Sequence, residues 1–211
     1  MASSEDLKIV LVRHGEPTIK WGQQMTRAEY IRWLAEYENA PLDQEKGARP
    51  NPQTLELLSS VDKVFSSPTV RAAQIAQVLA GDRPIAHDAV FIEAPLPAPP
   101  IRGLRMDAWG WGIWSRVFWI LGITRSTESY LQSRKRAKRA ALRLIAGAQR
   151  HGSVALVAHG FFNAMIVREL RALGWQGPRV RSWPFWEGNV YKRRASASRR
   201  QSGLAGQTAT A

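Results

Sequence analysis

The chain contains no cysteine, which excludes a disulfide framework, a thiolate metal site and a cysteine nucleophile. It also has no Gly-rich phosphate loop ending in lysine, so the usual cradle for a nucleoside triphosphate is missing. Neither an internal repeat nor a heptad pattern is present. The longest apolar stretch, Trp109 to Ile123, contains Arg116 and falls short of the roughly 20 residues that a bilayer-spanning helix needs. The first residues, Met1 to Asp6, lack the basic-then-apolar pattern of a secretory leader, and Lys8 breaks the first apolar run. A cytoplasmic location is the expectation.

Acidic residues are scarce as well, 17 against 30 lysines and arginines, which gives a net charge of +13. Five of those cations (Lys192, Arg193, Arg194, Arg199, Arg200) fall in residues 192–211, where there is no acid, leaving +8 on residues 1–191. The segment from Arg193 to Ala211 has no apolar periodicity with which to join a core, so a disordered basic tail is expected over 192–211. Residues 1–191 read as one catalytic domain, since 211 residues at 45% hydrophobic content are the size of a single ordinary domain.

Within that domain, short β-branched runs alternate with helical patterns. Leu7 to Val12 reads as a buried strand that stops at Gly15-Glu16-Pro17, and Val61 to Phe65 as a second that stops at Ser66-Ser67-Pro68-Thr69. Ala72, Ala73, Ile75, Ala76 and Leu79 then recur at helical spacing, with Arg71 in the first turn. A third strand is expected within Pro84 to Ile92, ended by the proline-rich run after Glu93. A long helix is expected from an N-cap at Ser126, with Tyr130, Ala137, Ala141, Leu144, Ile145 and Ala148 on its apolar face. A fourth strand, Val154 to Ala158, leads through His159-Gly160 into a helix from Phe161 to Leu173. This alternation predicts an α/β fold, a three-layer sandwich with a mostly parallel central sheet flanked by helices. Its ligands would gather outside the carboxyl ends of the strands.

The residues expected at those strand ends share one chemistry. A phosphate monoester is a dianion that must be held while a nucleophile attacks in line, and guanidinium forks suit that task. Arg13 and Arg71 are placed for it, and the helix start after Pro68 adds backbone donors. A neutral imidazole attacks phosphorus directly, while a second histidine, if protonated, donates to phosphoryl oxygens. His14 and His159 divide those roles.

Leu11-Val12-Arg13-His14-Gly15-Glu16, then Ser66-Ser67-Pro68-x-x-Arg71-Ala72-x-Gln74, then Val157-Ala158-His159-Gly160 together resemble the histidine phosphatase (phosphoglycerate mutase-like) superfamily over roughly residues 7–173. The resemblance implies that His14 is the transiently phosphorylated nucleophile and that Arg13, Arg71 and His159 form its phosphate pocket. It further implies that Glu93 is the proton donor, that the substrate is a small phosphorylated molecule or a phosphoprotein, and that neither metal nor organic cofactor takes part.

The chain departs from the mutase branch. Glu16-Pro17-Thr18 stands where a Ser/Thr-x-Asn pattern is expected, and Glu93-Ala94-Pro95 is not followed by Trp-Glu-Gly. A Trp186-Glu187-Gly188 triplet does occur, but after the His159 motif, so its likeness reads as accidental. Phosphatase activity is therefore expected over mutase transfer. A different class of reading, a basic module for nucleic acid or membrane surfaces, is the runner-up, with nucleic acid disfavoured as a partner. Glu16, two residues from the nucleophile, competes with Glu93 for the role of acid. His87 and His151 have no catalytic context, and the cations Arg134, Lys135, Arg136, Lys138, Arg139 and Arg143 read as a solvated helix face. Trp109, Trp111, Trp114 and Trp119 belong to a segment inserted after Glu93, either a cap over the pocket or core.

Overall fold

A computed structural model describes residues 7–43, 52–124, 127–179 and 184–193. Five strands form one sheet: β1 (Leu7–Arg13), β2 (Lys63–Ser66), β3 (Ile85–His87), β4 (Ser153–Ala158) and β5 (Gly188–Arg193). Their spatial order is β3-β2-β4-β1-β5, with every pairing parallel except that of β5 on β1. Successive side chains of a strand point to opposite faces, and the sheet is covered on both.

Ile9, Leu11, Val154 and Leu156 meet Ala137, Ala141, Leu144 and Ala148 of α5 (Tyr130–His151) and Phe162, Ile166 and Leu170 of α6 (Gly160–Ala172). On the other face Val10, Val12, Ala155 and Val157 meet Leu58 of α2 (Pro52–Ser59) and Ala72, Ile75, Ala76 and Leu79 of α3 (Val70–Ala80). The expected three-layer α/β sandwich is the fold. Apolar runs in β1 and β4 are continuous because both faces are buried.

Two further helices, α1 (Arg27–Asn39) and α4 (Ala108–Ile120), pack on each other away from the sheet. Tyr30 stacks on Trp111 at 5.4 Å and on Trp33 at 5.9 Å, and Trp111 Nε1 donates to the Met25 carbonyl. The Trp-rich segment is thus α4. Trp111 and Trp119 are buried, whereas Trp109 and Trp114 are exposed.

Three boundaries are set by local contacts. The long helix starts at Tyr130 behind the N-cap Ser129, because Ser129 and Gln132 close a reciprocal capping box; Ser126 lies outside the described residues. The third strand is only Ile85–His87, since Asp88 caps a one-turn 3₁₀ segment, Ala89–Phe91, that carries the chain to Glu93. The boundary expected between residues 191 and 192 falls inside β5: Lys192 and Arg193 pair with Lys8 and Leu7, and Lys192 also exchanges backbone hydrogen bonds with Gln176. Burial alternates along this edge strand, with Asn189 and Tyr191 buried and Val190 half-buried, and its last two residues, Lys192 and Arg193, are exposed. Residues 194–211 lie outside the described residues.

Candidate active site

β1 and β4 lie side by side, and each is followed at once by a histidine. The His14 N–H extends the ladder by donating to the Ala158 carbonyl at 3.0 Å. The two imidazoles consequently meet edge to face with centroids 5.1 Å apart, both almost fully buried.

His14 Nδ1 is 2.7 Å from the carbonyl oxygen of Gly15. Only a protonated Nδ1 satisfies that contact, which leaves the lone pair on Nε2 facing the pocket. Arg71 Nε donates to this Nε2 at 3.2 Å. Arg71 is placed by two helices at once. Its backbone belongs to the first turn of α3, and its Nη1 donates to the carbonyls of Tyr37 and Glu38 at the end of α1. The last turn of α1 has no basic residue of its own, so Arg71 supplies the cation that its unpaired carbonyls favour.

Arg13 lies over the Phe185 ring at 3.8 Å, close to the Tyr37 side chain. His159 caps the start of α6, and its Nε2 is 3.0 Å from Ser67 Oγ and 3.3 Å from Thr69 Oγ1. Thr69 is the N-cap of α3 and makes no side-chain cap bond, so its hydroxyl is committed to this cluster. Two helix N-termini, those of α3 and α6, therefore open at the same place, where backbone N–H groups favour an anion.

Burial, then the charges of His159, Arg71 and Arg13, hold the His14 imidazole well below its ordinary pKa of 6.5. Burial likewise pushes His159 down to about 4, against an opposing pull from Glu93. Both rings are neutral at pH 7 in the free pocket. Lowered histidine pKa values mean that the unfolded chain takes up protons first, so stability falls as pH drops below 6.5. In NMR titrations of the free protein, the ring signals of His14 and His159 should stay constant between about pH 5.5 and 8. A midpoint near 6.5 for either would contradict this environment.

Glu93 reaches the pocket from the end of the β3 segment. Its Oε1 accepts the N–H groups of Ala94 at 2.8 Å and Phe162 at 2.9 Å, the latter in the first turn of α6. Two arginines, Arg136 buried and Arg116 half-buried, hold the loop around it. Arg136 donates to the carbonyls of Val90, Ile92 and Glu93 while paired with Glu128 at 2.7 Å, and Arg116 donates to the carbonyls of Ala94 and Pro95. Arg136 is thus no part of a solvated face. It sits on the same stripe as Ser133, Ala137 and Ala140, where helical spacing turns it inward.

A family model described as the histidine phosphatase superfamily (branch 1) matches residues 9–193, and these hold every one of the side chains above. The chain belongs to this superfamily. Solved structures share its fold. A mycobacterial glucosyl-3-phosphoglycerate phosphatase is 19% identical with a TM-score of 0.56, covering 87% of this chain and 88% of its own. The phosphoserine phosphatase of Entamoeba histolytica, in complex with 3-phosphoglyceric acid, is 17% identical with a TM-score of 0.53, covering 90% and 95%. A structure described as mycobacterial hydrolase 1 is 18% identical with a TM-score of 0.58, covering 91% and 92%. At such identities the likeness is one of fold. A comparison with curated proteins finds no match.

All five expected site residues of this superfamily member, Arg13, His14, Arg71, Glu93 and His159, project from the same edge of the sheet. The backbone carbonyl of Glu16 accepts the Asp43 N–H at 2.9 Å as the chain begins a short pairing of Pro17 with Leu42. Two walls were not read from the sequence. Tyr37 comes from α1, whose capping box at Thr26 and Glu29 is a local signal for that helix. Phe185, 5.8 Å from His14, precedes β5 and carries no local signal. Next to it, the carbonyl of Glu187 in the Trp186-Glu187-Gly188 triplet accepts the N–H of Arg13.

Proposed function

We propose that this superfamily member hydrolyses phosphate monoesters, or phosphohistidine, through a covalent phosphohistidine on His14. The observation that carries the reading is the His14 imidazole, whose Nδ1–H is fixed on the Gly15 carbonyl and whose Nε2 faces the guanidinium of Arg71. A phosphoryl group entering between them takes over the Arg71 donor, and Nε2 attacks phosphorus as the ester oxygen leaves on the far side. Arg13 and Arg71 carry positive charge toward the three non-bridging oxygens. His159 Nε2 lies 3.0 Å from the Ser67 hydroxyl; with that hydroxyl as the donor, the neutral ring carries its proton on Nδ1. That atom is buried without a hydrogen-bond partner among the described residues, and a phosphoryl oxygen would satisfy it.

Glu93 protonates the leaving oxygen in the first step. As a carboxylate it then takes a proton from the water that cleaves the N–P bond, returning His14 to its starting form. The backbone donors on Oε1 leave its other oxygen for the proton. Nothing in this sequence of steps assigns a role to a metal ion or organic cofactor. Among the described residues no cluster of three or more His, Asp or Glu side chains has the arrangement of a metal site.

The direct experiment is hydrolysis of p-nitrophenyl phosphate and of a panel of phosphorylated metabolites in excess EDTA. Turnover should match that of untreated protein. Loss on chelation, restored by one divalent metal, would overturn the metal-free reading.

A further inference from the structure

α4 is apolar on every side, a pattern that belongs in a core or against lipid. One side is accounted for. Ala108, Trp111, Ser115 and Trp119 are buried, the first two against α1. The opposite side is not. Ile113, Trp114, Val117, Ile120 and Leu121 are all exposed, Ile113 at 63% and Leu121 at 66%, and Ile123 just beyond the helix at 56%. At helical spacing these positions share one arc, and no polar side chain interrupts it. The helix's one charged side chain, Arg116, is turned onto the carbonyls of Ala94 and Pro95.

The surroundings of this face are basic. Residues 94–124 contain three arginines and a single acid, Asp107, whose carboxylate is engaged in capping α4 through the Gly110 N–H. Arg102 is exposed in the turn that enters the helix, and Arg105 beside it pairs with Glu29 at 3.5 Å. At the other end, Arg27 lies with Ile31 and Ile123 along one groove. A second copy of the chain would bring the same arginines and the same +13 charge against this face. Residues 194–211 could offer it only one large apolar side chain, Leu204. An apolar face rich in tryptophan and bordered by arginine is instead complementary to an anionic bilayer surface. The face also runs to the catalytic edge, since exposed Trp109 stacks on Trp21 at 6.0 Å and Trp21 leans on Phe185 at 6.4 Å.

We propose that the outward face of α4, from Ile113 to Ile123, is a membrane-contact surface that seats the protein on anionic lipid. At 13 residues the helix is too short to cross a bilayer and would lie in the headgroup layer. The test is cosedimentation of the full chain with vesicles of phosphatidylcholine alone and of phosphatidylcholine containing phosphatidylglycerol. The native chain should favour the anionic vesicles, and the double substitution Ile113→Gln with Val117→Gln should weaken that binding about tenfold without altering net charge. Circular dichroism and turnover of p-nitrophenyl phosphate should be unchanged in the variant. Binding by the variant as tight as the native chain's, or no native preference for anionic vesicles, would overturn the proposal. So would a vesicle-free dimer that the substitutions dissociate, which would make the occupant a second copy. Absence of phosphatase turnover in both proteins would count against the proposed catalysis and leave the vesicle result standing.

Discussion

Replacing His14 with alanine is expected to lower kcat/KM on any phosphomonoester that the native chain turns over by a factor on the order of 10⁴ or more. The size of the effect follows from geometry. His14 Nε2 is the one nucleophilic lone pair that the fold aims at Arg71, and the ring's other nitrogen is held on Gly15. Removing the ring leaves the cations in place, so substrate binding should survive while the displacement step does not. The folded state should survive too, because the surrounding strands are packed through Val12, Val157 and Ala158, not through the imidazole. A His14→Ala variant with a native circular dichroism spectrum and within about tenfold of native turnover would remove His14 from the chemistry.

The second large effect concerns the acid, and it discriminates between two carboxylates. Displacement at phosphorus is in line, so the donor to the leaving oxygen approaches from the side opposite His14 Nε2. Glu93 enters from the β3 segment and is held by backbone donors of Ala94 and Phe162. Glu16 is tethered two residues from the nucleophile, and its backbone carbonyl accepts the Asp43 N–H. Glu93→Gln is therefore expected to slow hydrolysis of alkyl phosphates by about 10²–10⁴, since an alkoxide leaves poorly without a proton. Activated aryl phosphates should lose much less in the first step. Glu16→Gln should change both substrate types alike and slightly. A leaving-group-dependent loss in Glu16→Gln, with none in Glu93→Gln, would transfer the role to Glu16.

The sheet edge was legible because the motifs of Arg13, His14, Arg71 and His159 stand at the ends of short strands with buried centres. Continuous apolar runs such as Ile9 to Val12 and Val154 to Ala158 admit no polar residue until the chain leaves the sheet, so the first reactive side chain marks the strand end. What surrounds the pocket was less legible, for two different reasons. Tyr37 and Arg136 lie on helices whose local signals do exist: the Thr26–Glu29 capping box, and the stripe through Ser133, Ala137 and Ala140. Arg136 was hidden by composition, because six further cations on the same helix make a basic face look uniformly solvated. Phe185 and β5 are another matter. An antiparallel edge strand only six residues long is recognisable through its partner, here Leu7 to Val12, which lies some 180 residues earlier in the chain. Long-range pairing of that kind leaves no periodic trace in the segment itself.

The arginines that position Glu93 show how the pieces depend on one another. Arg136 and Arg116 bind carbonyls of Val90, Ile92, Glu93, Ala94 and Pro95, converting a proline-rich loop with few backbone donors into a fixed arm. The Glu93 carboxylate is thus placed by α4 and α5, while both histidines are placed by the sheet.

The central claim is the covalent intermediate, and chemical trapping tests it directly. Native protein mixed rapidly with a phosphomonoester substrate and quenched in base should carry phosphate that is stable to alkali, released by acid and located by mass spectrometry on His14. An active protein that turns over substrate under single-turnover conditions without any such adduct, or with its acid-labile phosphate on His159 and not on His14, would contradict the account.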